Sequence, residues 1–161
     1  MRALVLSALA AFGIDQASKV AVVHMLDLKT IGTIDVLPPF LVFRMGWNRG
    51  INFGLFAEAH DAGRWIMIAL AVVIPALLIW WARGFSRPLA RVAAGLVVGG
   101  ALANGLDRVL YGAVADFLNM SCCGFQNPYA FNLADVFIFA GAIGLVFLAD
   151  DTHGKDRAKT P

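Results

Sequence analysis

Apolar residues fall into four long runs along the chain, and the polar positions crowd between them. The runs are Ala3 to Leu26, Trp65 to Ala82, Leu89 to Leu106 and Leu133 to Ala149. Each reaches or approaches the roughly 18–20 apolar residues that a membrane helix needs. The pattern predicts a membrane all-α protein with four transmembrane helices, over residues 3–26, 65–82, 89–106 and 133–149. The connection "RGFSRP" between the second and third runs is short, so those helices are antiparallel neighbours. Pro75 interrupts the second run, where neighbouring helices re-satisfy the freed carbonyl. No linker or repeat divides the sequence, and residues 1–161 read as one integral membrane domain.

The longer connections, 27–64 and 107–132, fall on the opposite side of the membrane from "RGFSRP". In the first of them, "TIDVLPPFLVFRMGWNRGINFGLF" mixes β-branched and aromatic residues with Pro and Gly. Short strands and turns are expected there, as a small extracytoplasmic β-sheet resting on the membrane surface. "AEAHDAGRW" then leads into the second helix and predicts a short periplasmic helix. The tail from Asp150 to Pro161 is polar.

Composition agrees with a membrane chain. Of 161 residues, 60% are hydrophobic and 15% charged, and the mean hydropathy is +0.74. The net charge of +2 is not gathered into a basic block, so no nucleic-acid partner is expected. "MRALVLSALAAFG" has the look of a signal peptide, but its apolar run continues past Gly13 to Leu26, so it reads as a retained span. Arg2, Arg83, Arg87, Arg91, Lys155, Arg157 and Lys159 lie on one side of a four-span arrangement. Lys29, Arg44, Arg49, Arg64 and Arg108 are spread thinly over the other. That asymmetry puts both termini in the cytoplasm.

Within and beside the spans lie polar residues that lipid would not tolerate singly. Asp15, Gln16 and Lys19 sit in the first run, and Asp15 and Lys19 share a helix face. Asn104, Asp107 and Arg108 end the third run. Asn132 and Asp135 begin the fourth, and Asp116 follows the third. At 1.5 Å per residue, Asp15 is roughly 18 Å and Lys19 roughly 24 Å from the inner end of a core about 30 Å thick. Asn104 lies roughly 22 Å from Leu89, and Asn132 and Asp135 fall within about a turn of the outer surface. All of them can meet at one level near the outer face. Singly, each has a plainer explanation. Asp15 with Lys19 makes a structural ion pair, Asn132 caps the fourth helix with Asp135 at its positive end, Arg108 snorkels, and Asp116 is a solvated loop residue. It is their shared depth that points to a site.

The same residues carry a resemblance. "DQASK" resembles the D-Q-x-x-K block of the lipoprotein signal peptidase (signal peptidase II) family, bacterial membrane aspartyl proteases. "WNRGINFGLF" is similar to that family's N-x-G-x-x-F through Asn48, Gly50 and Phe53. "GGALANGLDRVLYGAVADF" is similar to G-G-A-x-x-N-x-x-D-R followed by V-x-D-F, and "FNLADVFIFAG" to F-N-x-A-D-x-x-I-x-x-G. The four blocks stand in the family's order over most of the chain. The resemblance implies a catalytic dyad of Asp116 and Asp135, with supporting or substrate-binding roles for Asn48, Gly50, Asn104, Arg108 and Asn132. Asp15, Gln16, Lys19 and Asp107 are structural polar residues on this reading.

The resemblance further implies hydrolysis with neither cofactor nor metal. The substrate would be a diacylglyceryl-modified prolipoprotein, cut just before its lipidated cysteine in the bacterial inner membrane. Membrane lipids surround a monomer, and globomycin-type cyclic peptides are expected inhibitors. Three features depart from the pattern: Ala103 replaces a usual glycine, Ile51–Asn52 replaces a usual Ala-Ala, and the stretch "NMSCCGFQNPYA" is unlike the expected forms. They bear on substrate preference more than on chemistry.

Two other functions fit a polar cluster in lipid. A small proton-coupled transporter or channel would carry polar residues through the whole depth, whereas the inner halves of these spans are nearly purely apolar. A catalytically dead relative would bind signal peptides without cutting them. Cys122 and Cys123 read as small loop residues, since a disulfide between neighbours is strained. His24, His60 and His153 lack ligand spacing.

Overall fold

The computed structural model describes residues 1–50 and 60–149. Phe53, the Ile51–Asn52 departure and the tail from Asp150 lie outside the described residues. Helix α1 covers Arg2–Lys19 and continues without a break as a π-helical segment, Val20–Met25. A single turn, α2 (Leu28–Ile31), leads into β1 (Thr33–Leu37) and β2 (Leu41–Asn48). Then come α3 (His60–Ala82), α4 (Pro88–Tyr111), β3 (Val114–Asn119) and α5 (Leu133–Leu148). The expected four apolar helices are therefore present. Three of them, Arg2–Met25, Ala62–Ala82 and Pro88–Tyr111, are long and apolar enough to cross a membrane, and Leu133–Leu148 is shorter.

Helix α4 lies at the centre, packed against α1, α3 and α5. Its buried face is built of Ala90, Ala93, Ala94, Gly95, Gly99, Gly100 and Ala103, small residues that let backbones approach closely. A Cβ on Gly99 would collide with the Ala8 carbonyl of α1, and one on Gly100 would lie 2.6 Å from the Ala134 carbonyl of α5. On α3, Ile66, Leu70, Val73, Leu77 and Trp80 form an exposed apolar stripe at alternating spacings of four and three. In water such a stripe would be costly; in a bilayer it faces acyl chains.

The sheet is antiparallel in the order β1-β2-β3. β1 and β2 arise where the first outer connection predicts strands, joined through a turn at Pro38–Pro39. β3 was not expected, and its presence corrects the reading of Asp116 as a loop residue. In the ladder Asp116 stands opposite Gly46, and Asn48 opposite Val114. The π-helical segment turns Val22 and Val23 under the sheet, where they pack with Leu28, Ala115 and Phe117. Phe43 meets Phe117 edge to face at 5.9 Å.

Two boundaries also move. α4 runs to Tyr111, not Leu106, so Asp107 and Arg108 are helical. The helix runs on to Gly112, whose left-handed φ of 75° ends it. Arg64 of α3 caps that end by donating to the carbonyls of Arg108 and Val109, each at 2.8 Å. Residues from His60 onward belong to α3 itself, and Ala57–Ala59 of the expected short helix lie outside the described residues.

Candidate active site

Asp116 lies mid-way along β3 and is buried. Asp135 lies in the first turn of α5, where Asn132 is the N-cap. Asn132 Oδ1 accepts from the Asp135 N–H at 3.0 Å, and Asp135 Oδ2 accepts from the Asn132 N–H at 3.1 Å. This reciprocal capping box is the plainer explanation of the pair, and it holds. It also leaves both residues free for more. The Asn132 side-chain amide still has two N–H donors, and these go to Asp116 Oδ1 at 2.6 Å and to Asn104 Oδ1 at 3.2 Å. Asn104 in turn donates to Asp135 Oδ1 at 2.9 Å.

The orientation of both amides follows from their surroundings. The Asp135 N–H and the Lys19 ammonium can only donate, so the oxygens of Asn132 and Asn104 must face them. Asn48 is set in the same way. Its Oδ1 accepts from the Gly50 N–H at 3.0 Å, which turns Nδ2 toward Asp116 Oδ2 at 3.1 Å. Gly50 adopts φ 90°, a conformation that favours glycine. Each of the four carboxylate oxygens of Asp116 and Asp135 thus accepts one N–H. A lone pair remains on each for a proton or a water.

Burial pushes the Asp116 carboxyl up to about 6, and the neighbouring Asp135 charge pushes the same way. The amides of Asn48 and Asn132, and Lys19, act against that rise.

Beneath them lies a second polar layer. Lys19 is 2.7 Å from Asp15 and 2.6 Å from Asp107, and donates to Asn104 Oδ1 at 3.2 Å. Gln16 donates to Asp107 Oδ1 at 2.9 Å. Arg108 donates to the Asn104 carbonyl at 3.1 Å, and its buried Nε has no hydrogen-bond partner. The structure therefore brings the polar candidates and Gly50, all among the described residues, into one connected cluster. Two partners had no signal in the sequence. The backbone N–H of Ala134 donates to Asp15 at 2.8 Å, and that of Ala115 donates to Asp107 at 3.3 Å. Cys122 and Cys123 are exposed free thiols in a turn beyond β3, and Cys123 has φ 58°.

Comparison with known proteins bears on this cluster directly. The family described as Signal peptidase (SPase) II matches residues 7–149, which include every residue of both layers. The chain belongs to the signal peptidase II family. A lipoprotein signal peptidase of Methylobacterium sp. (strain 4-46) is 42% identical over 150 residues, covering 91% of this chain and 89% of that one. One from Rhodopseudomonas palustris (strain CGA009) is 39% identical, covering 98% and 96%. Among solved structures, a bacterial membrane enzyme determined by the in meso method at 1.9 Å superposes with a TM-score of 0.75 at 26% identity, over 89% of this chain and 90% of that one. A second such enzyme, at 2.3 Å, gives 0.70 at 25% identity over 98% and 91%. A signal peptidase II is an aspartic-type protease. Asp116 and Asp135 are linked in this chain through Asn132, which hydrogen-bonds both.

Proposed function

We propose that Asp116 and Asp135 are the catalytic dyad of a membrane aspartyl endopeptidase that removes signal peptides from diacylglyceryl-modified prolipoproteins. The observation that carries this is the double use of Asn132, which hydrogen-bonds both carboxyls at once. The pair holds one proton. The ionised carboxylate takes a proton from water as that water attacks the scissile carbonyl. The protonated partner polarises the carbonyl oxygen and then supplies the proton that leaves with the amine. Atoms balance with one water consumed, and no covalent intermediate is required.

The substrate's signal peptide and acyl chains lie in lipid, so its scissile bond is held at the membrane surface. All four apolar helices cross the bilayer in this reading, with both termini cytoplasmic and the dyad near the extracytoplasmic face. The Asn48–Gly50 turn holds Asp116 from the sheet side, and Arg108, near enough to feel both Asp116 and Asp135, keeps a buried Nε without a hydrogen-bond partner. The protein acts as a monomer. A proton-coupled channel is disfavoured because both polar layers lie toward one end of the bundle. At the other end of the bundle Leu4, Ala82, Phe85, Ala90 and Ala94 make an apolar core.

The test is cleavage of a purified diacylglyceryl-modified precursor by the wild-type chain and by Asp116→Asn and Asp135→Asn. Both variants should insert and fold, and each should lose at least about 1,000-fold in kcat, the scale on which an aspartyl dyad acts. Wild-type rates in both would overturn the assignment.

A further inference from the structure

Asp15 and Asp107 come from different helices, yet each accepts a backbone N–H from the residue just before one member of the proposed dyad. Asp15 Oδ1 takes the N–H of Ala134, which precedes Asp135, at 2.8 Å. Asp107 Oδ2 takes the N–H of Ala115, which precedes Asp116, at 3.3 Å. The same ammonium, Lys19 Nζ, joins the two carboxylates, at 2.7 Å and 2.6 Å. Its third proton goes to Asn104 Oδ1, whose amide nitrogen holds Asp135. All three ammonium donors are thus used, and every link leads to one aspartate or the other.

We propose that Lys19, Asp15 and Asp107 are positioning residues, which set the separation of Asp116 and Asp135 by tying the backbone just before each to one buried cation. The proposal rests on the dyad reading above.

Helix adhesion alone does not account for the cluster. Asp15 and Asp107 are fully buried and Lys19 is 5% exposed. Buried ions of this kind are weak stabilisers beside apolar packing. The α1–α4 seam is already closed by Gly95 and Gly99 against Leu4, Ser7 and Ala8. What apolar packing cannot supply is a directed acceptor for two specific peptide N–H groups in lipid surroundings. A second tie lies on the other side of the dyad, where Leu118 of β3 pairs with Phe131 just before α5. Fixed at both places, β3 and the start of α5 cannot slide past one another. Gln16 completes the arrangement by donating to the other oxygen of Asp107.

The experiment measures kcat and KM separately, on a diacylglyceryl-modified precursor, for full-length Asp15→Asn, Asp107→Asn, the double variant and Lys19→Arg. Asp135→Asn serves as reference, and thermal unfolding is followed in the same detergent. Each single Asn variant should lower kcat at least about tenfold with KM within about twofold, since neither residue touches substrate. The double variant should be little worse than the poorer single, because both act through one ammonium. Lys19→Arg keeps the charge with a longer fork that displaces both carboxylates, so it should fold and also lose kcat. It decides the matter should the Asn variants fail to fold. A kcat within twofold of wild type in folded Asp15→Asn, Asp107→Asn or Lys19→Arg, beside a dead Asp135→Asn, would overturn the positioning role and leave the dyad standing. A change confined to KM would overturn it too. An active Asp135→Asn would instead sink the dyad itself.

Discussion

Asn132 donates its side-chain amide to Asp116 Oδ1 at 2.6 Å, the shortest hydrogen bond around either proposed catalytic carboxyl. The same side chain caps α5. Asn132→Ala should therefore lose stability and activity together. Removing an N-cap costs about 1 kcal/mol, and a buried carboxylate left without its donor costs about 1–3 kcal/mol more. Thermal unfolding in detergent should show the loss, and cleavage of a lipid-modified precursor should fall at least about a hundredfold. Asn132→Asp keeps a capping oxygen but faces Asp116 with a third carboxylate. It should hold most of the stability and lose the activity, and a fully active Asn132→Asp would refute the bridge.

Activity should fall on the alkaline side as the dyad loses its shared proton. The Asp116 carboxyl is held at about 6 in the folded protein, above its ordinary 3.8. The folded state therefore binds more protons than the unfolded chain between those values, and stability from this group is lost as pH rises from about 4 through 6. Asn48 stabilises the ionised form of Asp116 by donating to it. Asn48→Ala removes that donor, raises the pKa and should move the alkaline limb of kcat/KM to higher pH. A limb that stays put or moves down would show that Asn48 does not act on the dyad's proton.

A methyl group at residue 100 should harm a site it does not touch. A Cβ there would lie 2.6 Å from the Ala134 carbonyl and 2.9 Å from Ile138 Cγ1. Gly100→Ala must push the start of α5 away from α4, at an overpacking cost of about 1–3 kcal/mol. The displaced residue is Ala134, next to Asp135, so kcat should drop along with the melting temperature. Gly13→Ala is the control, because nothing lies within 4 Å of a Cβ there.

Orientation is open to direct measurement through Cys122 and Cys123, which are exposed just beyond β3. In intact spheroplasts a membrane-impermeant maleimide should label the wild-type chain and leave Cys122→Ser/Cys123→Ser unlabelled. Labelling that appears only after lysis would put the sheet and dyad on the cytoplasmic side.

Much of this was legible in the sequence because membrane helices announce themselves by length and apolarity. The depths of Asp15, Asn104 and Asp135 could be counted along them at a fixed rise. Strands have no such ruler. β1 and β2 were visible through their β-branched and aromatic residues. β3 was not, because the strand it pairs with, β2, lies far away in sequence. The end of α4 was misplaced for a related reason. The charged pair Asp107–Arg108 looked like a boundary, but Asp107 is satisfied internally by Lys19 and the last turn is capped by Arg64. Only the third dimension reveals partners of that kind. Among the site residues, side chains could be singled out, while the N–H groups of Ala115 and Ala134 could not, since every residue but proline has one.

Helix α5 has 16 residues, and Ala149 turns away in extended conformation at its end. At 1.5 Å per residue it rises about 24 Å, roughly 6 Å less than a typical hydrocarbon core. One way for such a helix to cross is for the surrounding leaflets to dip to meet it. That dimple would lower the water boundary onto Asp135, so an acylated chain could present its peptide bond for hydrolysis while its fatty tails stay immersed.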